Sequence, residues 1–233
     1  MRQRLWRLLK PLCRTGVSRV PDLHLVSVPL RIGLFGGTFD PPHVGHIAAA
    51  VNVRHALGLD RVLMVVANDP YQKSSSRDIT PAAARLEMVR AACEGIPGLE
   101  VSDVEITRGG PSYTFDTVRE VLAEYPDAEV FVIVGSDTAG RLETWHKWNE
   151  LADIATFVVI ARDVEELTLP SAVNSIRMDV PVIECSSTEL RRRLRAGEDT
   201  THLLSRAVFN VIHARNLYGV TDRRSTASVG LSA

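Results

Sequence analysis

The sequence predicts a single α/β domain, a doubly wound and mostly parallel sheet with helices on both faces. Short continuous apolar runs such as "LRIGLF", "RVLMVVA" and "EVFVIVG" alternate along the chain with longer segments whose apolar residues recur at helical spacing. Runs that are apolar on both sides belong to strands covered on both faces, the environment of parallel strands joined by crossover helices. A chain of 233 residues, 45% hydrophobic and 24% charged, is large enough and ordinary enough in composition for one such core.

The elements follow in order. "LRIGLF" reads as a buried strand, and "HVGHIAAAVNVRHALGL" as a helix that starts near His43 and stops near Gly58. "RVLMVVA" is a second buried strand, and "TPAAARLEMVRAACEG" a helix with Thr80 as N-cap and Pro81 in its first turn. "LEVSDVEI" reads as a strand, "TFDTVREVLAEY" as a helix and "EVFVIVG" as the most hydrophobic strand. A short helix over "TWHKWNELA" and strands over "TFVVIAR" and "VPVIEC" come next. Closing helices over "STELRRRLRAG" and "SRAVFNVIHARNLYG", each ending at a glycine, complete a domain of residues 30–219. The stretch "DVEELTLPSAVNSIRMD" is the least patterned and reads as a variable connection.

The flanks differ. Residues 1–29 are rich in Arg and Lys, and Leu5, Leu8, Leu9 and Leu12 would share one face of a basic amphipathic helix. No uninterrupted apolar region follows the charges, so the segment does not fit a signal peptide. It reads as a disordered extension or as a start placed too far upstream, and residues 220–233 read as a flexible tail. Three scattered cysteines, never in a C-x-x-C pair, suit a reducing compartment. No run approaches the roughly 20 apolar residues of a membrane-spanning helix, so a cytoplasmic protein without a membrane partner is expected. A formal net charge of -1 argues against a broad nucleic-acid footprint, and a homo-oligomer is left open.

In a sheet of this kind ligands bind beyond the C-terminal strand ends, where the strand order switches. The first strand leads there into "GGTFDPPHVGH". Gly36 and Gly37 permit tight backbone turns, and Pro41 and Pro42 fix the entry into the helix. His43 and His46, three residues apart, are expected on one helical face, with Gly45 leaving room for a ligand. Two imidazoles beside the unpaired amides of a helix N-terminus suit phosphate oxygens. Neither G-x-G-x-x-G nor G-x-x-x-x-G-K-[ST] is present, because Gly33, Gly36 and Gly37 have the wrong spacing. Zinc, with His55 or Cys93 as further ligands, would lack a carboxylate or thiol at the expected spacing. Spacing alone therefore gives a phosphate-binding α/β protein.

The segment resembles the G-G-x-F-D-P-x-H-x-G-H signature of nicotinate-nucleotide adenylyltransferases, within the nucleotidyltransferases that carry an H-x-G-H motif. By itself it would equally fit a pantetheine-phosphate adenylyltransferase or a cytidylyltransferase. The resemblance implies that Gly36, Gly37, Thr38, Phe39, His43 and His46 contact ATP, in a Rossmann-like version of the sheet already predicted.

Four further clusters favour the nicotinate enzyme. "RGGPSYTFDT" resembles its S-Y-T-x-x-T segment, so Tyr113 and Thr114 are expected at the pyridine nucleotide; capping by Thr114, with Asp116 in the first turn, is the plain alternative. "VFVIVGSDTAGRLETWHKW" resembles a G-x-D followed by a tryptophan, here Gly135, Asp137 and Trp145. Trp145 would stack on the nicotinate ring with His146 beside it, leaving Trp148 for the core. "IECSSTELRRRLRAG" offers a capping box of Ser186 and Glu189, and also resembles the I-S-S/T-x-x-R motif that holds ATP phosphates. That places Ser186, Ser187, Thr188 and Arg191 at the phosphates, with Cys185 where isoleucine is usual. Lys73 resembles the lysine of a proline-containing phosphate loop, and Arg162 a strand-end arginine, although Asp163 departs from the usual arginine-proline-glycine continuation.

The resemblance implies adenylyl transfer from ATP to nicotinate mononucleotide, giving deamido-NAD and pyrophosphate in NAD biosynthesis. His43, His46, Lys73 and Arg191 would be the catalytic residues, with Mg²⁺ held through the ATP phosphates and no metal ligands on the protein. The alternatives are the same chemistry on nicotinamide mononucleotide or phosphopantetheine, and a non-catalytic nucleotide-binding module.

Overall fold

The computed structural model of the chain describes residues 28–70, 79–161, 173–181 and 183–220. Within them β1 (Arg31–Gly37), β2 (Arg61–Val66), β3 (Leu99–Ser102), β4 (Glu129–Gly135), β5 (Thr156–Ala161) and β6 (Ser175–Asp179) form one sheet. The strand order is β3-β2-β1-β4-β5-β6, and every neighbouring pair is parallel. The helices are α1 (Val44–Leu57), α2 (Ala82–Cys93), α3 (Val104–Arg108), α4 (Thr114–Glu124), α5 (Ser136–Ala139), α6 (Trp148–Ile154), α7 (Ser187–Ala196) and α8 (Arg206–Ala214).

The side chains of β4 show why the apolar runs are continuous. Val130, Val132 and Val134 face one way, into a cluster with Phe115, Val118 and Val121 of α4 and Leu151 of α6. Phe131 and Ile133 face the other way, onto Ala50 and Val53 of α1 and Leu86 and Val89 of α2. A strand buried on both faces cannot alternate, and each such side chain contributes roughly 1.5–3 kcal/mol on leaving water. A third cluster joins Met88 and Ala92 of α2 to Leu190 and Leu194 of α7 and Val208 and Ile212 of α8. It fastens α7 and α8 against α2. Among the described residues no helix is long and apolar enough to cross a membrane.

The functional crevice follows from register. β1 pairs with β2 as far as Gly37↔Val66, and β4 pairs with β5 as far as Gly135↔Ile160. The pairing between β1 and β4 stops at Leu34↔Val132. The two central strands therefore part over their last residues, at the point where the chain turns from one half of the sheet to the other.

Several local expectations change. "LEVSDVEI" is not one strand: β3 ends at Ser102, whose Oγ accepts the N–H of Val104, and α3 follows. The strand expected over "VPVIEC" is absent from the described part of that stretch, and β6 lies instead in the segment read as a variable connection. β6 is an edge strand with half-buried Ile176 and Met178 between exposed neighbours, so its apolar signal is only two residues deep. The short helix begins at Trp148, not Thr144; Leu142–Thr144 forms a 3-10 turn and Trp145 is extended. Pro81, not Thr80, holds the N-cap position of α2, and Thr114 is the first residue of α4, with Tyr113 at its N-cap position. The last helix ends at Ala214, and a separate 3-10 turn, Leu217–Gly219, carries the glycine expected at its end. Residues 1–27 and 221–233 lie outside the described residues.

Candidate active site

A cleft of about 730 Å³ opens where β1 and β4 part. Its floor is the end of β1 and the turn into α1. Gly37 is needed there because Phe39 folds back over it: a Cβ would meet the Phe39 ring at 2.8 Å. Phe39 itself is held at a φ of +49°, uncommon for a bulky residue, with its ring edge-on to His46 at 5.0 Å.

His43 is the N-cap residue of α1, in extended conformation, and is 6% exposed. The pair is therefore not on one helical face as expected. The imidazoles approach each other directly, with centroids 3.8 Å apart and planes tilted by 32°. The His43 N–H donates to His46 Nδ1 at 3.2 Å. An accepting Nδ1 makes the neutral His46 ring an Nε2–H donor. Gly45 also has a different task from the one expected: a Cβ there would meet His43 Nδ1 at 3.1 Å, so the glycine makes room for the histidine and not for a ligand.

The N-terminus of α7 meets this turn. Ser186 caps the helix by accepting the N–H of Glu189 at 3.2 Å. Only that half of the predicted capping box forms among the hydrogen bonds seen, since the Glu189 carboxylate bonds Arg192 and Arg193. Ser187 Oγ donates to the carbonyl of Pro41 at 2.9 Å. Arg191 is buried behind the turn, donating to the Asp40 carbonyl at 2.6 Å and to Thr188 Oγ1 at 3.2 Å. It supports the cleft from behind, while Ser186, Ser187 and Thr188 line it.

Across the crevice stand Gly135, Asp137, Trp145 and His146, with Thr114 from the start of α4. Tyr113 stacks on His146, centroids 4.3 Å apart. Trp145 lines the cleft with its other edge against Phe157, and its buried indole N–H has no acceptor among the described residues. Trp148 packs on the same phenylalanine at 5.3 Å, outside the cleft lining. The sequence-predicted residues from Gly36 to His46, Ser186 to Thr188, and Thr114 with Gly135 to His146 thus meet in one cleft. Lys73 and Arg162 lie outside the described residues.

Sequence reasoning missed a buried polar network around the turn. Asp40 is 1% exposed; one carboxylate oxygen accepts from Tyr218 Oη at 2.5 Å and the other from the Thr80 N–H at 3.3 Å. Arg85, also buried, donates to the carbonyls of Thr38, Asn68 and Thr80 at 2.9, 3.1 and 2.7 Å. Burial lowers its pKa while Asp40 opposes that shift. Glu105, 6% exposed, likewise accepts from Thr117 Oγ1 at 2.7 Å on the Thr114 side. The available signal was Arg85 in the same helical stripe as Val89 and Ala92, where an arginine needs buried acceptors.

The cytidylyltransferase-like family matches residues 34–193 of the chain. A protein of Exiguobacterium sibiricum named "probable nicotinate-nucleotide adenylyltransferase" is 39% identical over 189 residues, covering 81% of this chain and 99% of that one. One of the same name from Thermus thermophilus is 43% identical over 192 residues, covering 81% of this chain and 100% of its own. In fold the chain is similar to Plasmodium falciparum nicotinic acid mononucleotide adenylyltransferase complexed with NaAD. The TM-score is 0.68 at 17% identity, over 82% of this chain and 98% of that one.

Proposed function

The chain belongs to the cytidylyltransferase-like family, among the nicotinate-nucleotide adenylyltransferases, and on that premise we propose how its residues carry the reaction. The enzyme transfers AMP from ATP to nicotinate mononucleotide, giving deamido-NAD and pyrophosphate in NAD biosynthesis. The assignment of roles rests on one observation: the N-termini of α1 and α7 and the closely apposed His43 and His46 converge on the crevice between β1 and β4.

The attacking group is a phosphate oxygen of the mononucleotide, already ionised at neutral pH. It forms a bond to the α-phosphorus of ATP, and the bond to the β-phosphate oxygen breaks with its electron pair leaving on pyrophosphate. No strong base is required, so catalysis is alignment and stabilisation of moving negative charge. His46, as an Nε2–H donor, and His43 hydrogen-bond the phosphates as charge shifts to the leaving group. Gly36, Gly37, Thr38 and Phe39 form the floor beneath the nucleotide. Ser186, Ser187 and Thr188, with the amides of α7, hold the phosphates from the opposite side. Arg191 fixes Thr188 and the Asp40 carbonyl in place and adds positive potential behind them. Lys73 contributes a further cation and Arg162 a contact to the acceptor nucleotide.

Trp145 stacks on the nicotinate ring, with Tyr113, Thr114 and His146 around it and Gly135 and Asp137 at the ribose. The donor set fits Mg²⁺ carried on the triphosphate, because Asp40 and Glu105 already accept hydrogen bonds from Tyr218 and Thr117 and the facing groups are phosphate donors. When bound, the ion neutralises phosphate charge. The scattered cysteines support a place in the cytoplasm.

Pyrophosphate release with ATP and Mg²⁺ tests the reading, comparing nicotinate mononucleotide, nicotinamide mononucleotide and phosphopantetheine as acceptors. The expected result is a strong preference for the nicotinate nucleotide. Preference for either other acceptor overturns the assignment of Thr114 and Trp145.

A further inference from the structure

Tyr218 does not itself line the cleft; it lies in the 3-10 turn Leu217–Gly219, near the end of the described residues. Its ring packs into the apolar cluster of α2, α7 and α8, and a phenylalanine would fill that role equally. Two observations mark it as more than packing. Its backbone is held at a φ of +57°, and that of Asn216 at +49°, in a region a bulky residue rarely adopts. Its hydroxyl is directed at the buried Asp40 carboxylate at 2.5 Å, across 178 residues of sequence. Burial and the Asp40 carboxylate both push the phenol pKa up, so the hydroxyl remains a donor.

Asp40 is three residues before His43, and its own carbonyl takes the Arg191 guanidinium. Phe39, next to it, is the residue whose ring meets His46. The turn that sets both imidazoles is thus gripped by Arg85 from α2, by Arg191 and Ser187 from α7, and by Tyr218 from the 3-10 turn Leu217–Gly219. We propose that Tyr218 is a positioning residue for the adenylyl transfer, its hydroxyl holding Asp40 so that His43 and His46 keep their catalytic alignment. The proposal rests on the roles given to those histidines. Displacing reacting groups by as little as about 1 Å can cost a hundredfold in rate, so loosening one of several grips should cost less.

Tyr218→Phe removes only the oxygen. Expected is a fall in kcat of about tenfold with KM for nicotinate mononucleotide within about twofold, because the acceptor pocket is untouched. The imidazole resonances of His43 and His46 in the NMR spectrum should shift. Leu217→Ala, which trims the same apolar cluster without touching Asp40, should lower Tm and leave kcat of the folded protein unchanged. Replacing Tyr218 by para-aminophenylalanine, which keeps a donor at the ring tip, should recover much of the turnover; if Tyr218→Phe does not fold, this weaker donor should give an intermediate kcat. An unchanged kcat in Tyr218→Phe, or a fall in kcat with unmoved histidine resonances, overturns the proposal. Full activity in His46→Ala would instead sink the histidine roles on which it rests.

Discussion

At the scale of single residues, the site is built by what is left out as much as by what is present. Gly45 shows this most directly, since its missing Cβ is the space in which the His43 ring lies 3.1 Å from where that carbon would be. Gly45→Ala should therefore push His43 off its partner while leaving the apolar clusters intact. Turnover is expected to fall about tenfold or more, with a change in unfolding free energy of about 1 kcal/mol or less. Parallel kinetics and urea unfolding measure both quantities. A normal kcat would mean that the His43 position is not critical. The individual motif residues were legible because glycines, prolines and histidines make a dense local pattern. The contacts of Asp40 were not, because its partners come from separations of 40 and 178 residues.

At the scale of elements, α7 carries both a phosphate-facing N-terminus and a solvated ion-pair face. Glu189 in its first turn bonds Arg192 at 2.8 Å and Arg193 at 2.9 Å, and these hydrogen bonds pull its pKa from the ordinary 4.5 to about 2. A carboxyl whose pKa is depressed on folding favours the folded state above its unfolded value. Its contribution is complete above about pH 4.5 and fades as the pH falls toward 2. Glu189→Gln should accordingly lower stability at neutral pH and flatten the acid limb of the stability curve in that window. The pair is exposed, so the effect should be small and shrink with added salt. Urea unfolding at several pH values checks it, and identical acid limbs would contradict it. Buried strands and amphipathic helices were readable as elements through their long apolar periods. β6 was not, since an edge strand buries only alternate residues, and α3 escaped because a five-residue helix has too few residues to show a period.

At the scale of the whole molecule, the cleft is assembled from both halves of the sheet and from the N-terminus of α7. Ligands that bind only the assembled cleft should stabilise all of it. ATP at about a hundred times its dissociation constant contributes about 2.7 kcal/mol. For a domain of this size that corresponds to a rise in Tm of about 5–10 °C, measurable by differential scanning fluorimetry. No rise at saturating ATP would contradict a pre-formed phosphate site. Fold class and strand alternation were legible at this scale, because a doubly wound sheet repeats one local pattern many times. The grip of Arg85, Arg191 and Tyr218 on one turn was hidden, being a property of packing between α2, α7 and the last 3-10 turn.

The central claim is that His43 and His46 face phosphate and do not serve as packing. The most direct measurement is the single-turnover rate of His46→Ala with saturating ATP and nicotinate mononucleotide, taken together with its Tm. The account predicts a rate lower by about 10²–10³ with Tm within a few degrees of the unsubstituted protein. A rate close to normal, or a loss of activity matched by an equal loss of folded protein, would make His46 a packing residue and contradict the account.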